Sequence, residues 1–455
     1  MTNRLFFVLT LAASSALAQG NPSNAVVSHQ LDSAFQTLAA KGYSGIVRVD
    51  RNGAVLFEKA YGLANRATKK PFSTNTIIQI GSNTKDFTAV AMLQLQERGK
   101  LSLHDSLSRF FSNAPGDKRN ITLDQLMNHT AGFPIGLGGD FDAISRNEFI
   151  DRAMSRPLLF PPGTGRQYSN AGFSVLAAVI ELVSGMTYDE YVRDNILRPA
   201  GMSHTGLLLP HFDTTLLAHG YRNGEDLGDM LSKPHAADGP YWNLRGNGGM
   251  LSTVDDMHAF YSTLFETTKL LTPASRAVRF NPDEPVGLAG SDLVSSFLYE
   301  RLPGRRLELI VASNSAEFRE RAAREVIAAV LGLPSPDGRP VANAPGRNAA
   351  TPPSPAVASL LREFVATLNS GDLAKLTAYI AEHFAIDAGT PSAAQRAERF
   401  MQTHVNLGAI SIVGLDQLAD GVVEVSATSA IEGPMTFRMP VVDGKIRAVQ
   451  VMVGG

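Results

Sequence analysis

Apolar positions recur with two periods along this chain, and the change of period marks its parts. A helical spacing covers about Ala25 to Ala40. Two alternating segments follow, Gly45 to Asp50 and Ala54 to Ala60, joined by Asn52-Gly53. That dipeptide suits the left-handed backbone of a tight hairpin turn. A second helical pattern begins just after Ser82 and runs to about Arg98, with Phe87, Val90, Met92 and Leu93 as candidate core residues. Residues 100–235 read as mostly helical and rich in loops. Strand patterns return at Leu293 to Glu300 and Arg306 to Ala312, followed by a helix over Glu320 to Leu331. Strands at both ends with helices between them predict an α+β fold. One antiparallel sheet is built from both termini, flanked by helices and interrupted by a helical insertion.

Beyond residue 355 the order reverses, with helices before strands. Val357 to Leu368 places Leu360, Leu361, Phe364 and Leu368 on one face, and Asp372 suits the N-cap of a next helix. Strands are expected at Ala409 to Val413, Val422 to Ala427, Met435 to Val442 and Lys445 to Val453, with Asp443-Gly444 as a hairpin turn.

Composition changes the picture at three places. Seven of the 25 prolines lie between Pro334 and Pro355, a linker composition. The 455 residues therefore divide into a large domain at 22–333, a Pro-rich linker at 334–355 and a small α+β domain at 356–455. At the N-terminus, Arg4, the apolar run Leu5 to Ala13 and Ala16-Leu17-Ala18 form a signal peptide over residues 1–18. Cleavage near Gln19 and a periplasmic or secreted protein are expected, with no integral membrane span in the mature chain. The absence of cysteine removes disulfides and thiol catalysis. A net charge of −2 without a basic stripe argues against nucleic acid as a partner.

Candidate chemistry centres on Ser82-Asn83-Thr84-Lys85. Residues three apart on a helix face the same way, so the Lys85 amine can reach the Ser82 hydroxyl. A helix N-terminus and a cation both favour a negative serine oxygen, and a buried lysine can act as base. Taken alone, the pattern also fits an N-capping serine beside a surface lysine. A second element, Tyr168-Ser169-Asn170, lies in a Pro/Gly-rich turn before a helix expected from Phe173 to Ser184. Tyr168 could serve as phenolate or proton relay, and Asn170 could hold Lys85 and donate to a substrate carbonyl.

These residues resemble the serine β-lactamase and penicillin-binding-protein superfamily, in the branch of class C β-lactamases, DD-peptidases and esterases. That branch carries S-x-x-K and Y-x-N, and the separation of Ser82 from Tyr168 is close to its usual one. Leu126-Met127-Asn128-His129-Thr130-Ala131-Gly132, Arg198-Pro199-Ala200-Gly201-Met202 and Gly248-Gly249-Met250-Leu251-Ser252-Thr253 resemble its supporting segments. The resemblance implies catalysis by Ser82, Lys85 and Tyr168, with Asn170, Gly290 and Ser291 binding substrate. It departs at the third element. The expected Lys or His of K-T-G or H-x-G is Leu288 in Gly287-Leu288-Ala289-Gly290-Ser291-Asp292, a segment leading into Leu293 to Tyr299. Leucine cannot hold a carboxylate. Arg245, Lys233, Arg305 and Arg306 are the cations considered as replacements. The C-terminal pattern is similar to the NTF2/SnoaL-like cone fold, which implies no particular activity.

The reading is a serine hydrolase acting on an ester or amide, β-lactams and D-amino-acid peptides included, through an acyl-serine. Its rival is a penicillin-binding-like scaffold without turnover. Substrates are small molecules or peptides, and the C-terminal domain could mediate self-association. No cofactor is expected. The ten histidines show no paired metal-binding spacing, so no metal is expected either. His129 is read as a loop support rather than a base, and Trp242 as packing. Gly246-Asn247-Gly248-Gly249 does not follow a strand in a βαβ unit, so it is not read as a phosphate site.

Overall fold

Asn52 and Gly53 both adopt positive φ, 57° and 75°, which closes the first hairpin. It joins strand β1 (Gly45–Arg51) to β2 (Ala54–Tyr61), after helix α1 (Asn24–Ala40). The computed structural model describes residues 23–207, 213–222, 224–291, 295–334, 353–385, 392–417, 422–429 and 433–453. The expected signal peptide at 1–18 and most of the expected linker lie outside the described residues.

Three further strands complete the sheet. They are β3 (Val286–Ser291), β4 (Ser296–Leu302) and β5 (Leu307–Ser313), giving the antiparallel order β2-β1-β5-β4-β3. Residue Ile46 of β1 pairs with Ala312 of β5, so segments far apart in sequence meet in the sheet. Alternation assigns the faces. Val47, Val49, Leu309 and Val311 pack with Val27, Leu31 and Phe35 of α1 and with Ala323 and Ile327 of a helix at Glu320–Leu331. Ile46, Phe297, Tyr299, Ile310 and Ala312 join the core of the insertion on the other face.

Helix α2 (Thr84–Glu97) lies at the centre of that insertion and is buried on every side from Thr84 to Leu95. Its neighbours are α3 (Asn170–Ser184) and α4 (Val254–Glu266). Phe87 stacks on Phe260 of α4 with centroids 4.2 Å apart. Burial of such a ring contributes about 1.5–3 kcal/mol. An all-buried helix leaves Lys85 and Asp86 without water, so their partners must be protein groups.

Two sequence expectations shift. The strand expected from Leu293 runs from Ser296 to Leu302, and residues 292–294 lie outside the described ones. The third-motif segment is a strand in its own right, β3, with Ser291 opposite Ser296 and Leu288 opposite Tyr299. It forms the sheet edge beside the start of α2.

The C-terminal part has its own core. Helices α5 (Pro355–Asn369), α6 (Leu373–His383) and α7 (Ala393–Leu407) precede strands β6 (Ile410–Gln417), β7 (Val422–Ser429), β8 (Gly433–Val442) and β9 (Gln450–Val453). β6, β7 and β8 pair in order, and β9 pairs with β8. Asp372 caps α6, accepting from the backbone of Ala374 and Lys375 at 3.0 Å. The single strand expected over Lys445 to Val453 is broken in two. Lys445–Ile446 folds back on Val441–Val442, and Gln450–Val453 pairs with Met435 to Arg438. Phe364 and Phe384 lie in the interior, and the partly buried Phe400 packs against them.

Candidate active site

Ser82 sits in a single 3-10 turn, Gly81–Asn83, that feeds α2. Its hydroxyl caps nothing; the N-cap position of α2 makes no side-chain cap bond. The Ser82 Oγ instead lies 2.6 Å from the Tyr168 hydroxyl and accepts from Lys85 Nζ at 3.0 Å. The surface-lysine alternative also fails, because Lys85 is only 1% exposed.

The second partner of Lys85 is not Asn170. Lys85 Nζ donates to the Asn247 carbonyl at 2.8 Å. Asn247 is held by its own side chain, which donates to Ser174 Oγ and the Asn243 carbonyl, both at 2.8 Å. Gly246 makes this approach possible, since a Cβ there would lie 2.5 Å from the Ala177 Cβ. The glycine run set aside in the sequence therefore positions the lysine; glycine beside a polar residue was its only signal. Asn170 begins α3, three residues earlier than expected, because Ser169 caps the helix through the Gly172 N–H at 3.0 Å. The Asn170 Oδ1 is buried and carries no hydrogen bond.

Burial sets the protonation states. It lowers Lys85 to about 7, against the opposing pull of Asp140 and Asp86 and with help from Arg279. It pushes Tyr168 up to about 12, partly offset by the bond to Ser82. The phenolate form of Tyr168 is thus disfavoured and the neutral relay favoured. Burial also drives His129 down to about 3. Neutral His129 accepts the Ser169 N–H at 3.1 Å and packs on Tyr168 at 4.7 Å. It braces the tyrosine loop, and among the described residues its hydrogen bond goes to Ser169 and not to Ser82.

Strand β3 and the nucleophile turn approach so closely that both need glycine. A Cβ on Gly290 would fall 2.0 Å from the Ile80 carbonyl oxygen and 2.7 Å from the Ser82 nitrogen. A Cβ on Gly81 would fall 2.6 Å from the Ser291 nitrogen. Asn83 ties the turn to β4, donating to the Ile80 and Phe297 carbonyls at 3.0 and 3.3 Å. The backbone nitrogens of Ser82 and Ser291 thus lie on the two sides of this close approach.

Leu288 shares the face of Gly290 by strand alternation. None of the four cations considered replaces the missing one. Arg245 is buried and donates to both oxygens of Asp238 and to the Pro240 carbonyl. Lys233 donates to the Leu227 carbonyl at 2.6 Å. Arg305 and Arg306 form the β4–β5 turn, at the end of the sheet away from Ser291. Arg279, which the sequence reading passed over, is the cation that acts on Lys85, His129 and Tyr168.

Asp50, His258 and Glu308 bring potential metal-ligating atoms within 4.8 Å of one another. Arg48 occupies both oxygens of Asp50, at 2.8 and 3.3 Å, and His258 is raised by its 2.7 Å bond to Glu308. This is an ion-pair network bridging α4 and the sheet.

The Beta-lactamase family profile matches residues 31–290. Penicillin-binding protein 4* of Bacillus subtilis is 29% identical over 272 residues, covering 55% of this chain and 59% of that protein. Protein flp of Staphylococcus aureus is 29% identical over 239 residues, covering 50% of this chain and 47% of that protein. The chain therefore spans about half to three fifths of the length of these relatives. The crystal structure of a penicillin-binding protein from Bacillus halodurans superposes with a TM-score of 0.56 at 26% identity, over 66% of this chain and 99% of that one. Among the described residues no single helix is long and apolar enough to cross a membrane. The profile match and the shared sheet-and-insertion architecture establish that the chain belongs to the beta-lactamase family.

Proposed function

We propose that the protein is a serine hydrolase that forms an acyl intermediate on Ser82. One observation carries the reading: a buried, readily neutral Lys85 amine lies 3.0 Å from Ser82 Oγ, with the Tyr168 hydroxyl 2.6 Å away on the same oxygen. Neutral Lys85 takes the serine proton as Oγ attacks the substrate carbonyl. The tetrahedral oxyanion is held by the Ser82 and Ser291 N–H groups. Tyr168 passes the proton to the leaving group as the carbon–heteroatom bond breaks, leaving an ester on Ser82. Water then adds to that ester, gives its proton back through Tyr168 and Lys85, and releases the acid and Ser82. Asn170, whose buried Oδ1 carries no hydrogen bond, is the candidate contact for the acyl side chain.

Substrate class follows from Leu288. A substrate whose carboxylate must be held by the third motif loses a charge-assisted hydrogen bond, worth about 1.5–3 kcal/mol. Neutral esters and small amides lose nothing there, so we place them ahead of penicillins and D-amino-acid peptides. Intact-mass spectrometry with a fluorophosphonate, p-nitrophenyl acetate and a cephalosporin, on wild type and Ser82→Ala, tests both parts. Serine-dependent adduct or turnover with the short ester supports the reading. A cephalosporin adduct at equal rate would overturn the substrate class. No adduct with any probe would leave a non-catalytic binder.

A further inference from the structure

We propose that Arg279, held against Asp86 of α2, is a positioning residue that supplies at Lys85 and Tyr168 the positive potential which Leu288 withholds. Its bearing on rate rests on the acyl-transfer reading above; its effect on Lys85 does not.

Arg279 lies between the short helix Pro273–Ala277 and β3. Its Nη1 donates to the Met127 carbonyl at 3.3 Å, two residues before His129. Its Nη2 is 4.0 Å from Asp86 Oδ1, and the other Asp86 oxygen accepts from Tyr261 at 2.8 Å. The guanidinium sits 5.8 Å from the centre of the Phe173 ring, and Lys85 Nζ sits 5.7 Å from the same centre. One buried aromatic ring therefore has both basic groups against it.

Arg245 engages its donors with Asp238 and Pro240. Arg279 leaves one donor unpaired. Its Nε is buried without a hydrogen bond. A buried unpaired donor is costly, so this placement asks for a return other than stability. Charge provides one. Burial favours neutral Lys85 but opposes negative charge on Tyr168 and Ser82, whereas a nearby cation helps both. The groups facing Lys85 are Ser82, Tyr168, neutral His129, the Asn247 carbonyl, Asp140, Asp86 and Arg279. Asp140 and Asp86 favour protonated Lys85, and Arg279 alone among the charged ones opposes them.

The test is a double-mutant cycle read on Lys85 itself. The 13C resonance of the Lys85 side chain would be followed with pH in lysine-labelled protein, assigned by its loss in Lys85→Met. Arg279→Met should raise the Lys85 midpoint by about half to one pH unit, the size expected for one charge at this range in a protein interior. Asp86→Asn should lower it, the double variant should return close to wild type, and Arg279→Lys should stay there. The fluorophosphonate rate at Ser82 should fall about two- to fivefold at pH 7 in Arg279→Met, and recover at higher pH. A Lys85 midpoint unmoved in Arg279→Met, or moved equally in Arg279→Lys, would overturn the proposal as a mere packing role. Labelling that persists in Ser82→Ala would overturn the acyl-enzyme reading instead, and the Lys85 titration would still decide Arg279.

Discussion

Replacing Gly290 by alanine tests the oxyanion gap with a single methyl group. The added Cβ would start 2.0 Å from the Ile80 carbonyl oxygen and 2.7 Å from both the Ser82 nitrogen and Asn83 Nδ2. Two of these three atoms are backbone of the nucleophile turn, which Asn83 pins to β4, so no flexible side chain can swing away. Real Cβ contacts below 3.0 Å essentially never occur, so β3 must retreat by roughly 1 Å. Oxyanion donors act only about 2.7–3.1 Å from the developing charge, so a retreat of that size removes the Ser291 donor. Loss of one such donor costs about 10²–10³ in kcat. The overpacking should cost about 1–3 kcal/mol, or roughly 2–4 °C in Tm for each kcal/mol. Initial rates of p-nitrophenyl acetate hydrolysis and a thermal scan read both effects. Gly304→Ala is the control, because a Cβ there meets nothing within 4 Å. Activity within tenfold of wild type at unchanged Tm would refute the close-approach argument.

Tyr168→Phe removes only the hydroxyl bonded to Ser82, so kcat/KM should fall about 10²–10⁴-fold with little change in Tm; a loss below tenfold would exclude the relay. Lys85 near 7 predicts kcat/KM rising about tenfold per pH unit below that value and levelling above it, and a rate flat between pH 5 and 8 would contradict the base assignment. His129 folds with its midpoint depressed to about 3 from 6.5, so the unfolded chain binds the extra proton between those values. Stability should therefore be full above pH 6.5 and lost as pH falls, by about 2 kcal/mol at pH 5. His129→Gln should flatten that slope in denaturant midpoints measured against pH. Leu288→Lys should raise acylation by a carboxylate-bearing penicillin about ten- to a hundredfold relative to a neutral ester, and an unchanged ratio in the folded variant would sink the account of substrate class.

Much of this site is written in local sequence. Ser82 and Lys85 meet because a helix places residues three apart on one face, and the Tyr168 loop is marked by its own Pro and Gly residues. The two hairpins at Asn52-Gly53 and Asp443-Gly444 follow from backbone preference, and both pairs take positive φ. The alternating strands at both ends of the large domain predicted a shared sheet, and residues 45–51 and 307–313 are its central pair. Helix rhythm alone could not reveal that α2 is buried all round, because that depends on what packs against it.

The sequence by itself therefore determined the periodicities, the turns, the serine and lysine on one helix face and the leucine in the third motif. The tertiary structure decided everything that depends on distant segments meeting. The Asn247 carbonyl reaches Lys85 across 162 positions of sequence, where no local pattern links them. The same holds for β3 closing on the nucleophile turn, for Arg245 being spent on Asp238, and for Arg279 lying behind Lys85. Protonation belongs to this second group as well, since the burial that brings Lys85 near 7 and Tyr168 near 12 arises only when the helices close around them.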